Sequence, residues 1–238
     1  MTILLTTIHD PDNKMYVAAR KMLPYLLMKY NGAIVEMTCT THPWMKQLLQ
    51  DNAQVFLSRS GDIAGARRSL LRRSLIYGDT CHFCDFDRLL FWQIHYPEEL
   101  SQTIAYIKKH DFTIIGRTKA AFDSHPFVQK QTERVVNKVF RQATGLGGVD
   151  VLAASRGISS KAARLITGQS KANGPAGIDV EWPFIARDMG VGYTTTNGLA
   201  YESDEFGIRR KHLDEIKLRL TNMVQGIYET DRCRQLFT

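Results

Sequence analysis

The chain has 238 residues, with 44% hydrophobic and 23% charged side chains and only 7 prolines, which is enough to bury a core without disulfides or a structural metal. That composition excludes collagen-like, disordered and disulfide-scaffolded proteins. A formal charge of +7 favours anionic partners, with nucleic acid, an acidic membrane surface and a phosphorylated small molecule all open at this point.

In chain order, residues 3–7 read as a short buried strand, and no basic segment precedes them as a signal peptide would require. No apolar run approaches the length of a membrane span. Asp10-Pro11 reads as a helix cap with proline in the first turn. The apolar period of Met15, Ala18, Ala19, Met22, Leu26 and Tyr30 continues that helix, with Pro24 expected to kink it. Residues 33–40 form a second strand, 43–50 a short helix and 53–58 a third strand, after which Gly61 opens a helix running to Tyr77. Gly78-Asp79 turns the chain into a fourth strand at 80–84. Its Cys81-His82-Phe83-Cys84 lacks the second pair a zinc site needs, so two buried strand thiols are expected. Four cysteines in a chain of this size, Cys39, Cys81, Cys84 and Cys233, fit a reducing cytoplasm.

Beyond Asp85-Phe86-Asp87 the pattern predicts a helix over 97–110, a strand over 112–116 and a helix over 128–141. It continues with a strand over 149–155, a helix over 159–166, a mobile loop over 168–177, a helix over 183–189, a strand over 193–199 and a terminal helix over 208–228. The expectation is one α/β domain with a mixed, mostly parallel sheet flanked by helices and a ligand crevice at the strand ends. Within it, 1–95 is the donor nucleotide half, 96–203 the acceptor half and 204–238 a C-terminal helical segment.

Asp85 and Asp87 stand two apart at the end of an apolar strand. Residues at that spacing share a side, and two carboxylates with ordinary pKa values repel each other there unless a cation intervenes. Hard oxygen ligands suit Mg²⁺ or Mn²⁺, although two solvated turn carboxylates are the plainer reading of the pair alone. Just upstream, Gly61-Asp62-Ile63-Ala64-Gly65-Ala66-Arg67-Arg68 brings small and basic residues to a helix start, where free N–H groups favour a diphosphate. Five arginines, Arg59, Arg67, Arg68, Arg72 and Arg73, fall in this region, and only some can face one ligand. His42 and His125 each precede a proline in a turn and are assigned no chemistry.

Gly61-x-x-x-Gly65-Ala66-Arg67, then Gly78-Asp79, then an apolar strand and Asp85-x-Asp87, is similar to the donor half of nucleotide-sugar glycosyltransferases with the GT-A fold. The resemblance implies that Thr7, Gly61, Gly65, Arg67 and Asp85 contact the donor and that Asp85 and Asp87 hold Mn²⁺ or Mg²⁺. His212 is implied as a further metal ligand, while its neighbours Arg209-Arg210-Lys211 read as a surface helix. Asp150 to Ser155 followed by Arg156-Gly157 looks like the acceptor-side strand. Asp179-Val180-Glu181-Trp182-Pro183 resembles the polyprenyl-phosphate glycosyltransferase branch, which implies that Glu181 or Asp179 orients or deprotonates the acceptor hydroxyl.

The implied activity is transfer of a sugar, a hexose by analogy, from a nucleotide-diphosphate donor to an acceptor hydroxyl or phosphate. Two departures stand out. Thr6-Thr7-Ile8-His9-Asp10-Pro11 replaces the family's Pro-x-x-Asn-Glu turn. The second strand ends Met37-Thr38-Cys39-Thr40 without an acid to read the nucleoside, so the base is not predicted. A haloacid-dehalogenase-type phosphatase would use Asp85 as nucleophile, but Arg88 follows the motif and three strands precede it. A non-catalytic nucleotide-sugar or nucleic-acid binding protein is the third class. No nucleic-acid motif is present, so nucleic acid is not expected, whereas peripheral contact with an anionic membrane is compatible with the charge.

Overall fold

The structure, a computed structural model, describes residues 1–59, 61–78, 80–201 and 212–238. The first half runs β1 (Thr2–Ile8), α1 (Tyr16–Leu27), β2 (Gly32–Thr38), α2 (Pro43–Gln50), β3 (Gln54–Ser58), α3 (Ile63–Ser74), β4 (Thr80–Cys84) and α4 (Phe86–His95). The second half runs α5 (Pro97–Ile107), β5 (Phe112–Arg117), α6 (Lys119–Asp123), α7 (Phe127–Thr144), β6 (Ser155–Ile158), α8 (Ser160–Gln169), α9 (Pro175–Ile185), β7 (Val191–Thr196) and α10 (His212–Phe237). Asp79 of the expected turn, and the expected start of the last helix at Ile208 with its Arg209-Arg210-Lys211, lie outside the described residues.

The seven strands form one sheet in the order β3-β2-β1-β4-β6-β5-β7. Only β6 runs antiparallel, against β4 and β5, while the remaining ladders are parallel. A mostly parallel sheet must be covered on both faces, and the near-continuous apolar runs of β1, β2 and β5 satisfy that demand. One core packs α3, α7, α8, α9 and α10 against the sheet through residues such as Leu70, Phe140, Ile166, Phe184 and Cys233. The other packs α1, α2, α4 and α5 through Leu23, Met45, Trp92 and Ile104. Cys81 and Cys84 are buried in β4, and the described cysteines form no disulfide. No described helix is long and apolar enough to cross a membrane.

Several elements differ from the sequence reading for identifiable reasons. Residues 149–154 are not a strand, because side chains satisfy backbone groups that a ladder would otherwise claim. Asn137 Oδ1 accepts from the Val151 N–H at 2.9 Å, and the Arg156 guanidinium gathers the carbonyls of Val151, Ala153 and Ser155. Helix α9 begins at Pro175 and contains Pro183 within it; all but its first residue are buried, so it carries no amphipathic period to read. Helix α4 escaped notice for a similar reason, with Phe86, Leu89, Leu90, Phe91 and Trp92 all buried. Helix α1 starts only at Tyr16, since the Asp10 carboxylate takes the Lys14 and Met15 N–H groups at 2.8 and 3.0 Å and closes the preceding turn.

Candidate active site

A cavity of about 620 Å³ opens at the C-terminal ends of β1, β2, β3, β4 and β5. That is where open α/β sheets place their ligands. Thr7 comes from β1, Glu36 and Thr38 from β2, Ser58 from β3, Asp85 follows β4, and Arg117 ends β5. Helix α3 contributes Ile63, Ala66 and Arg67, and α9 contributes Pro175, Ala176 and Asp179, each set lying along one helical face.

Arg67 stands at the centre. It is 3% exposed; its Nη2 donates to Asp85 Oδ2 at 3.1 Å and its Nη1 to Asp179 Oδ1 at 2.9 Å. Burial opposes the guanidinium charge, but Asp179 and Asp85 outweigh it and hold the pKa above the ordinary arginine value. Thr7 Oγ1 donates to Asp85 Oδ1 at 2.9 Å, so adjacent parallel strands jointly fix this carboxylate. Asp87 lies two residues on, inside α4, with Arg88 Nε 3.4 Å from its Oδ2. Burial, reinforced by the Asp85 charge and countered by Arg88, raises the Asp87 pKa. Burial likewise raises Asp179 against the pull of Arg67.

Asp85 and Asp87 fit a divalent cation of limited protein ligation. Their mutual repulsion is the kind a cation relieves, and Mg²⁺ or Mn²⁺ is commonly held by one or two carboxylates, waters and substrate phosphates. No cluster of three or more His, Cys, Asp or Glu side chains suited to a metal occurs among the described residues. His212 therefore does not join the two aspartates. It is the exposed first residue of α10 and does not line the cavity.

Other expected residues are placed differently. Gly61 lines the cavity with φ +91°, a conformation that favours glycine. Gly65 does not line it: the Asp62 carboxylate caps α3 by accepting from the Gly65 N–H at 2.9 Å and fills the space a Cβ would need. Glu181 is fully buried and faces away from the cavity, because two residues along a helix turn about 200° from Asp179. Its carboxylate accepts from Ser170 Oγ, the Lys171 and Ala172 N–H groups and Arg232. This is a structural anchor for the 170–172 turn, and it corrects the assignment of Glu181 to the acceptor.

Sequence reasoning missed Glu36, whose carboxylate sits two residues before the end of β2. It lines the cavity, accepts from Ser69 Oγ at 3.1 Å and has its pKa raised by burial. A scan of the whole strand rather than its last residues finds it. The far end of the cavity was also unassigned: Arg117 is clasped by Asp150 and Glu133 at 2.6 Å each, beside His125 and Gln129.

No protein-family model matches the chain, and no curated protein matches it in sequence. Solved structures do match in fold. Glucosyl-3-phosphoglycerate synthase of Mycobacterium tuberculosis superposes with a TM-score of 0.59 at 16% identity, covering 97% of this chain and 80% of that one. The same enzyme in complex with Mn²⁺, UDP-glucose and phosphoglyceric acid gives a TM-score of 0.61 at 15% identity, with coverage of 97% and 80%. A complex with Mg²⁺ and UDP gives 0.60 at 15% identity, covering 97% and 79%. The fold is thus the GT-A type. These neighbours do not support the polyprenyl-phosphate branch, and the burial of residues 180–183 within α9 removes the local basis for that comparison.

Proposed function

We propose that this chain is a metal-dependent glycosyltransferase that moves a sugar from a nucleotide-diphosphate donor to an acceptor hydroxyl. The observation that carries the reading is the convergence of Asp85, Asp87 and the start of α3 on one cavity in a GT-A fold. The neighbours' complexes with Mn²⁺ or Mg²⁺ and UDP support the same cofactors here.

Asp85 and Asp87 would hold Mn²⁺ or Mg²⁺, which offsets the charge that develops on the departing nucleoside diphosphate. Arg67 holds one oxygen of Asp85, with Thr7 fixing the other. Gly61 allows the donor close approach to the backbone, and Glu36 on β2 offers a buried acceptor to the nucleoside. Asp179, which lines the cavity and whose Oδ1 is engaged by Arg67, would take the acceptor-side role and orient or deprotonate a hydroxyl.

The test is a thermal-shift panel of uridine, guanosine, adenosine and thymidine diphosphates with and without Mn²⁺. One of them should stabilise the protein only with the metal, since ligand at 100 times its Kd contributes about 2.7 kcal/mol. No Mn²⁺-dependent shift with any nucleotide would remove the transferase reading.

A further inference from the structure

The end of the cavity remote from α3 is built from the turn before α7, α7 itself and the segment after β7, and its unsatisfied polar valence has one sign. Gln129 is 8% exposed and lines the cavity. Its Nε2 donates to Glu133 Oε1 at 2.9 Å, whereas its buried Oε1 has no hydrogen-bond partner among the described residues. His125, 6% exposed, also lines the cavity from the turn just before α7. Its Nδ1 is 2.9 Å from the Ala121 carbonyl. A carbonyl can only accept, so Nδ1 carries the proton and Nε2 of the neutral ring keeps a lone pair. Burial, helped by the Arg117 charge, lowers the His125 pKa to about 3 and keeps that ring neutral.

The arginines nearby do not supply the missing donors. Arg117 is spent on Asp150 and Glu133, and Arg88 on Asp87 and the Ala200 carbonyl. Two lone pairs with matched cations behind them call for a ligand that donates hydrogen bonds, which a phosphate dianion or a carboxylate cannot do. An ammonium group could donate as well, and because Asp150, Glu133 and Asp87 offset the Arg117 and Arg88 charges, the experiment below separates it from a neutral donor. Tyr201, whose ring lies 5.5 Å from that of His125, adds an aromatic wall suited to the apolar face of a sugar.

We infer that the His125–Gln129 end of the cavity is the acceptor subsite and takes a neutral polyhydroxylated acceptor, a sugar or polyol bound through its hydroxyl hydrogens. This rests on the transferase reading for the word acceptor, but the binding chemistry of the pocket is independent of it. It also sets the chain apart from neighbours crystallised with phosphoglyceric acid.

The experiment is saturation-transfer NMR on the full chain with Mn²⁺ and UDP, using glycerol, glucose and maltose against 3-phosphoglycerate and glucosamine. A neutral probe should bind best. Gln129→Leu, close in shape but without the amide, should weaken it 10-fold or more and leave UDP affinity unchanged, while loss of the donor to Glu133 lowers the thermal midpoint. His125→Asn, which can still donate to Ala121, should weaken it in the same direction. Tighter binding of 3-phosphoglycerate or glucosamine, binding of none of the probes, or an unaltered affinity in Gln129→Leu would each overturn the inference. Maltose binding that survives where UDP fails to bind would uphold the pocket and sink the donor reading, so the two failures are distinguishable.

Discussion

Arg67 links the two halves of the cavity, since a single guanidinium neutralises Asp85 after β4 and Asp179 on α9. Its removal would leave two recessed carboxylates facing each other without a cation. Breaking a buried pair in this way costs on the order of 3–5 kcal/mol. Arg67→Ala should therefore lower the urea midpoint markedly and weaken nucleotide binding in whatever folded fraction remains. Arg73, on the same helix, rests over the Phe56 ring 3.5 Å away at the surface, and Arg73→Ala should cost less than about 1 kcal/mol. Equal effects of the two substitutions on stability and nucleotide affinity would mean that α3 presents only a general basic face. At this scale the sequence was informative about identity and less so about partners. The motif order pointed to Arg67, Asp85 and Asp87; the Asp62 cap on the Gly65 N–H, only three residues apart, was legible but was read as part of a diphosphate site, whereas nothing local revealed that Glu36 enters the cavity. Its pairing with Ser69 joins chain segments about 30 residues apart.

Among the elements, those with a clear period, cap or flanking turn were legible, and the helices buried all round were not. β4 was read to its residue bounds because Gly78 and Asp85 punctuate it, and α2 because His42-Pro43 starts it. α9 was misread by eight residues at its start, and that shift alone left two acids undistinguished. Read as an extended approach to a helix, Asp179 and Glu181 are equivalent candidates; within a helix they face opposite ways. The consequence is a divergence between two conservative variants. Asp179→Asn should retain donor binding and reduce sugar transfer by on the order of 10²-fold. Glu181→Gln should leave transfer per folded molecule near the parent value but destabilise the protein by a few kcal/mol, because Arg232 and the 170–172 turn lose a buried carboxylate. Steady-state transfer assays with parallel urea titrations separate the cases. Loss of transfer in Glu181→Gln without loss of stability would return the acceptor role to Glu181.

For the molecule as a whole, alternation of strands and helices was enough to give the fold class, while the one reversed strand was not foreseeable. β6 has four residues and runs antiparallel to both neighbours, after residues 149–154 that the Arg156 and Asp150 contacts hold as a loop. That reversal leaves the ends of β4 and β5 on the same side of the sheet, with the paired aspartates at one and the Arg117 cluster at the other. On the proposed reading the cavity joins a donor end for a cation and diphosphate with an end for hydroxyl groups, and Asp85 and Asp87 bind nucleoside diphosphate through a divalent metal. Isothermal calorimetry of UDP, or of the nucleotide the thermal-shift panel selects, into parent protein and Asp87→Ala, each in Mn²⁺ and in EDTA, tests it most directly. Binding should be strong only for the parent in Mn²⁺, with affinity at least 10-fold weaker in the other three titrations; equal affinity in EDTA and Mn²⁺ would contradict the metal site.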